Sequence, residues 1–169
     1  MKRLLALLIS LFTRVPAQPM LASVVLLLVR LALAAFMINH GLGKVDLGSM
    51  TLDGKFLGGV EKMGLPMPVV FAWAAVASEL AAAAMVGLGL FTRPAALMVM
   101  TTMAVAAFGA HGPDPLFAGD GRSKEPALIF LLNYLLIFAT GPGMFSIDRF
   151  FGKRVSKRVA TAKPKPAKS

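Results

Sequence analysis

Four long apolar runs, separated by short polar stretches, organise the chain. The first covers about residues 20–40, and only Ser23, Arg30 and Asn39 interrupt it. The second covers about 69–90 and is broken by Ser78 and Glu79. The third, about 94–110, has no charged residue; Thr92 is placed to cap it and Pro94 suits its first turn. The fourth, about 125–140, is closed by Gly141-Pro142-Gly143. A membrane-crossing helix needs about 20 residues, with about 17 the usual lower end. The first two runs meet that length, the third is marginal, and the fourth needs part of a flanking loop.

A soluble helical bundle would need a polar stripe on each surface helix at a period of about 3.6 residues. Between Ala95 and Ala110 only Thr101 and Thr102 carry polar side chains, too few for a wet face. The pattern therefore predicts an all-α protein, a four-transmembrane-helix bundle embedded in lipid. Residues 20–148 form that membrane domain. Residues 1–19 precede it as an interfacial segment: Met1–Phe12 is apolar with a basic start, too short to span, and Lys2, Arg3 and Arg14 can snorkel. Its similarity to a signal peptide is superficial, because Val15-Pro16-Ala17 is a loose cleavage match preceded by Arg14. Residues 149–169 form a basic tail whose last ten residues are mostly Lys, Pro and Ala, a composition that cannot bury a core.

Composition sharpens this picture. Of 169 residues, 57% are hydrophobic and 15% charged, against roughly 25% charged in soluble domains. The net charge of +10 could suggest nucleic acid, but eight of the 18 Lys and Arg lie between Arg149 and Lys168. A basic run beside a membrane helix is drawn to anionic headgroups instead. Nucleic acid is excluded as the partner. Cysteine is absent, which removes disulfides, thiolate metal sites and CxxC redox chemistry. Any redox role must use a bound cofactor or a partner.

Basic residues also set the expected orientation. Lys2, Arg3, Arg14, Arg93 and the eight in the tail make twelve on one side, against Lys44, Lys55, Lys62, Arg122 and Lys124 on the other. That split predicts a multi-pass protein of the cell (inner) membrane with both termini cytoplasmic.

Two ionisable residues fall deep in the runs. Arg30 lies about ten residues from either end of the first, roughly 15 Å down, and Glu79 is similarly central in the second. A charge at that depth costs about 2.5–3.5 kcal/mol on insertion scales, so an Arg30–Glu79 ion pair facing the bundle interior is expected. Two readings stay open. The pair fixes helix register and nothing more, or Glu79 serves a proton or ligand, with Asn133 as its alternative partner. A second cluster gathers at the outer rim, where His40, Lys44, His111 and Glu125 come from three spans. His40 and Lys44 share a face if the helix continues through Gly41 and Gly43. Such histidines could relay protons to a quinone, or stand there simply as interfacial residues. Two histidines and a carboxylate could also ligate a metal, but the spacing is no metal motif and Lys44 would repel a cation, so no metal is assigned. Met98, Met100 and Met103 do not share one helical face and are assigned to apolar packing. Trp73 reads as an interfacial anchor, and the small residues of 72–84 as a close-packing face. No phosphate loop, catalytic triad or nucleotide fingerprint is evident.

Several runs together resemble the DoxX family of membrane proteins. They are Arg30-Leu31, Asn39-His40-Gly41-Leu42-Gly43-Lys44, Gly64-Leu65-Pro66-Met67-Pro68 and Ser78-Glu79-Leu80. They continue with residues 87–96, His111-Gly112, Glu125 and residues 141–148. The resemblance implies a four-helix membrane bundle. Some members are similar to quinone-reducing membrane subunits of thiosulfate oxidation, and others are tied to redox-stress complexes. It thus implies a membrane subunit of a redox complex, exchanging electrons with a quinone and needing a membrane or peripheral protein partner. The rival expectation is a non-catalytic membrane scaffold or small-solute binder. The sequence assigns no catalytic residue to either.

Overall fold

The computed structural model describes residues 19–152, except 118 and 120, and is mostly helical. Helix α1 (Met20–Leu42) has 23 residues. Its apolar run carries it past His40, and Gly43 ends it. A short hairpin follows, with β1 (Val45–Asp46) antiparallel to β2 (Thr51–Leu52) and Val45 opposite Leu52. In its turn the Gly48 amide donates to the Asp46 carboxylate at 2.8 Å. That bond, with those from Ser49, holds the Asp46 carboxyl below the usual carboxylate range. Helix α2 (Gly54–Glu61) is capped by Asp53, whose side chain accepts the Phe56 amide at 2.9 Å.

Three longer helices complete the bundle: α3 (Pro68–Leu88), α4 (Thr92–Ala110) and α5 (Glu125–Thr140). Helices α1, α3 and α4 are long and apolar enough to cross a membrane; α5 is a shorter apolar helix of 16 residues. At 1.5 Å per residue α5 is about 24 Å long, short of the roughly 30 Å hydrocarbon core. Helix α3 contains a π-helical turn at Ser78–Ala82, and α4 ends in another at Ala106–Ala110. Such turns interrupt the i→i+4 ladder and often accompany functional sites.

The core is built from small and medium side chains. Met37 of α1, Ala82, Ala83 and Val86 of α3, Ala96 and Val99 of α4, and Tyr134 and Ile137 of α5 are almost fully buried. Large apolar residues such as Leu21, Leu28, Phe36, Leu97 and Leu132 face outward. Water would penalise that surface, whereas lipid does not, and close approach through alanine and glycine is how membrane helices associate. Thr92 is the first helical residue of α4 rather than its cap; the capping group comes from elsewhere, as described below. The expected interfacial segment lies outside the described residues, as does nearly all of the basic tail.

Candidate functional site

The register between α1 and α3 decides which polar residues meet. Gly41 packs on the π-helical turn of α3, where an added Cβ would come within 2.9 Å of Leu80 Cδ2 and 3.0 Å of Glu79 Cβ. Gly87 packs on Ala34, and Gly89 on the Arg30 guanidinium. The helices are antiparallel, with the α1 C terminus level with the middle of α3 and Arg30 level with the last residues of α3. The level of Glu79 on α1 is therefore about eleven residues from Arg30, roughly 16 Å at 1.5 Å per residue.

The expected Arg30–Glu79 pair does not form. Both residues are buried, 1% and 0% exposed, but each finds another partner. Besides the axial offset, side-chain direction separates them. Every Cα–Cβ bond tilts toward its own helix N terminus, so on antiparallel helices Arg30 and Glu79 lean apart.

Glu79 is paired with Lys44. Nζ of Lys44 lies 2.6 Å from Glu79 Oε1, with side-chain exposures of 15% and 0%. Because α1 stops at Leu42, Lys44 does not continue the helical face of His40. The Lys44 carbonyl accepts the Asp53 amide at 2.9 Å, which binds the hairpin strands at their base. The ammonium also sits 4.7 Å from the Phe56 ring centroid, a cation–π contact supplied by α2. Glu79 Oε2 is buried with no hydrogen-bond partner among the described residues. Ser78 Oγ, its neighbour on the π-helical turn, is likewise buried and unsatisfied. Asn133 is not the partner, since its amide donates to Ile129 O on its own helix at 2.8 Å.

The remaining rim residues divide into two. His40 is exposed on α1, close enough to Lys44, Glu79 and His111 for their charges to act on it. His111, at the end of α4, has its Nδ1 2.7 Å from Asp114 Oδ2, and Arg122 Nε is 3.4 Å from the same oxygen. With Nδ1 held by the carboxylate, Nε2 is the nitrogen left for proton exchange. Glu125 opens α5 and is half-buried. Among the described residues no three His, Asp or Glu side chains converge as a metal-holding group.

Arg30 belongs to the other end of the bundle. Its guanidinium donates to the carbonyls of Pro142 and, at 2.6 Å, Phe145. These lie in the glycine-rich segment after α5, whose irregular backbone must have its polar groups satisfied. Three residues on, Asp148 supplies the missing cap of α4. Its carboxylate accepts the amides of Phe91 (2.8 Å) and Thr92 (2.9 Å) and the Thr92 hydroxyl (2.8 Å). The Asp148 amide in turn donates to Gly89 O at 2.9 Å. From the sequence, Gly141-Pro142-Gly143 closes the fourth run and residues 141–148 belong to the family pattern, but Asp148 has no role of its own. The available signal was the absence of an acidic or polar N-cap before Thr92, where Phe91 stands.

The family model for DoxX matches residues 25–112. Inner membrane protein YphA of Escherichia coli (strain K12) is 37% identical over 134 residues, covering 75% of this chain and 89% of that protein. An uncharacterized protein of Haemophilus influenzae is 32% identical over 127 residues, covering 74% of this chain and 89% of that one. No solved structure matches the chain.

Proposed function

The chain belongs to the DoxX family of membrane proteins, and from that premise we propose that it is a multi-pass subunit of an inner-membrane redox complex that exchanges electrons with a quinone. In this reading α1, α3, α4 and α5 cross the bilayer, the last with help from its flanking segments. Both termini face the cytoplasm, in keeping with the twelve-to-five split of basic residues. The similarity to YphA, an inner membrane protein by name, supports the location.

One observation carries the chemistry. Glu79 is a buried carboxylate with one oxygen on Lys44 and the other unpartnered, held on a π-helical turn at the level of His40. Reducing a quinone consumes two electrons and two protons. An unpaired carboxylate oxygen can hold a proton for a quinone oxygen, and Lys44 can stabilise the negative charge that develops there. His40 and the His111–Asp114 dyad then exchange protons with water. The chain has no cysteine, so the electrons come through a bound cofactor or, in this reading, from a protein partner.

The test is extraction of quinone from the full-length protein purified out of native membranes, beside Glu79→Gln and His40→Ala variants. Stoichiometric quinone in the wild type, reduced in Glu79→Gln, is the expected result. Quinone no higher than in an unrelated membrane protein would favour a scaffold or small-solute binder.

A further inference from the structure

Two polar groups on one face of α1 are buried without a hydrogen-bond partner among the described residues. They are Ser23 Oγ and Arg30 Nε, in residues each 1% exposed. A spacing of seven residues is close to two full turns, so the two share a face, about 10 Å apart along the axis. The Arg30 side chain leans toward the N terminus of its helix, which shortens that gap. The other two guanidinium nitrogens are taken by the carbonyls of Pro142 and Phe145. Arg30 forms no ion pair among the described residues. Asp148 is near enough for its charge to reach the guanidinium, but both its oxygens are engaged by Phe91 and Thr92. Between Ser23 and Arg30, on the same face, lies Leu26. Leu26 helps to line an apolar groove of about 610 Å³ between α1 and α5, together with Ala22, Val25 and Val29 of α1 and Leu136 and Ile137 of α5. That volume falls within the range of about 300–1,000 Å³ for sites that hold one small ligand.

From this juxtaposition we infer that the α1–α5 groove binds one long-chain fatty acid, with its carboxylate on Arg30 Nε and Ser23 Oγ and its chain along Leu26. Any bilayer tail can lie in an apolar groove, so the selectivity rests on the two unpartnered groups. The Arg30 Nε–H can only donate, and the Ser23 hydroxyl is free to donate. A carboxylate offers two acceptor oxygens on one carbon, and its charge meets a cation that lacks an ion-pair partner. An ester or an alcohol brings no charge to that cation. A phospholipid phosphate is held at the membrane surface by its hydration, whereas Arg30 lies ten residues into α1. A fatty acid reaches that depth as the neutral acid and ionises beside the guanidinium, its proton passing to solvent. The inference is independent of the quinone reading, because Glu79 is level with Gly41 at the other end of α1.

The test places the full-length protein in phosphatidylcholine nanodiscs and adds palmitate labelled with carbon-13 at its carboxyl. Bound palmitate should give a carboxyl resonance separate from that of the bilayer pool, saturating at one per chain. It should also stay ionised to lower pH than the pool, because a cation favours the charged form. Oleate should displace it, and methyl palmitate should not. Ser23→Ala removes one hydrogen bond to a charged group and should weaken binding by about tenfold or more. Ala22 lines the groove and is exposed. Ala22→Phe should therefore fill the groove and abolish the bound resonance, while Trp73 fluorescence reports an unchanged thermal unfolding. Palmitate found only in the bilayer pool overturns the inference, as does a bound resonance that both variants leave intact. Displacement by methyl palmitate would mean that the groove reads the chain alone. Displacement by an equal amount of decylubiquinone would make a quinone the occupant. Either result overturns the carboxylate assignment.

Discussion

Nζ of Lys44 lies 2.6 Å from Oε1 of Glu79, joining the hairpin after α1 to the π-helical turn of α3. The two partners are unequally trapped. Lys44 keeps 15% of its side chain exposed and has the Phe56 ring as a second contact. Glu79 has neither. Lys44→Met should therefore cost more than Glu79→Gln, because it leaves a buried carboxylate alone, at about 3–5 kcal/mol if it stays ionised. Glu79→Gln should cost about 1–3 kcal/mol, the scale of one compromised buried polar contact. The double Met variant should recover much of the loss. Unfolding in detergent, followed through Trp73, ranks the four proteins; equal costs for the two single variants would refute the asymmetry.

The helices were legible because lipid-facing runs are uniformly apolar. The expected 20–40, 69–90, 94–110 and 125–140 fall within two residues of α1, α3, α4 and α5 at each end. Their axial register was not legible from charge. Equal depth within each run suggested that Arg30 and Glu79 meet, but register is set by where backbones can touch. Gly41, Gly87 and Gly89 mark those places, so the close approaches were written in the glycines. Lys44 and Glu79 were both singled out in the sequence, yet assigned to different clusters. Asp148 was missed because a cap 56 residues from Thr92 leaves no local spacing to recognise.

Glycine substitutions should separate contact from propensity. Gly89 has φ +69°, and an added Cβ would sit 2.5 Å from Ser146 Cβ and 2.7 Å from Arg30 Nη1. Gly89→Ala thus meets a left-handed backbone penalty of roughly 1–2 kcal/mol plus a collision on two sides. Gly58, inside α2, has open space around it. Gly58→Ala should raise stability by about 0.5–1 kcal/mol. The pair of variants compared by thermal unfolding should move in opposite directions.

Asp148 joins the start of α4 to the segment after α5 through three accepted hydrogen bonds. Asp148→Ala should cost about 2 kcal/mol, the upper end for loss of a cap. Asp148→Asn retains one acceptor oxygen and should cost roughly half as much. Hydrogen exchange at the Phe91 and Thr92 amides should accelerate more in Asp148→Ala than in Asp148→Asn. Unchanged exchange at both amides would mean that the carboxylate does not hold them.

Arg30 should act on the segment after α5, and not on Glu79. Its guanidinium bridges two carbonyls, those of Pro142 and Phe145. A shorter, single-headed ammonium cannot span both, because lysine lacks the planar fork of arginine. Each buried carbonyl left without a donor costs about 1–3 kcal/mol. The expected order of stability is wild type, then Arg30→Lys, then Arg30→Met. Stability alone cannot locate the effect, so the readout must be local. With no native cysteine, Met144→Cys provides a single thiol within the bridged segment. A loss of 1.4 kcal/mol in local closure raises the open population about tenfold. Thiol labelling in Arg30→Met should therefore accelerate by about tenfold or more, with Arg30→Lys between. Lys44→Met, although destabilised overall, should leave the labelling rate under native conditions near that of wild type, since its partner lies at the other end of α1. If Lys44→Met speeds labelling as much as Arg30→Met, the bundle opens as one unit and Arg30 is not a local clamp.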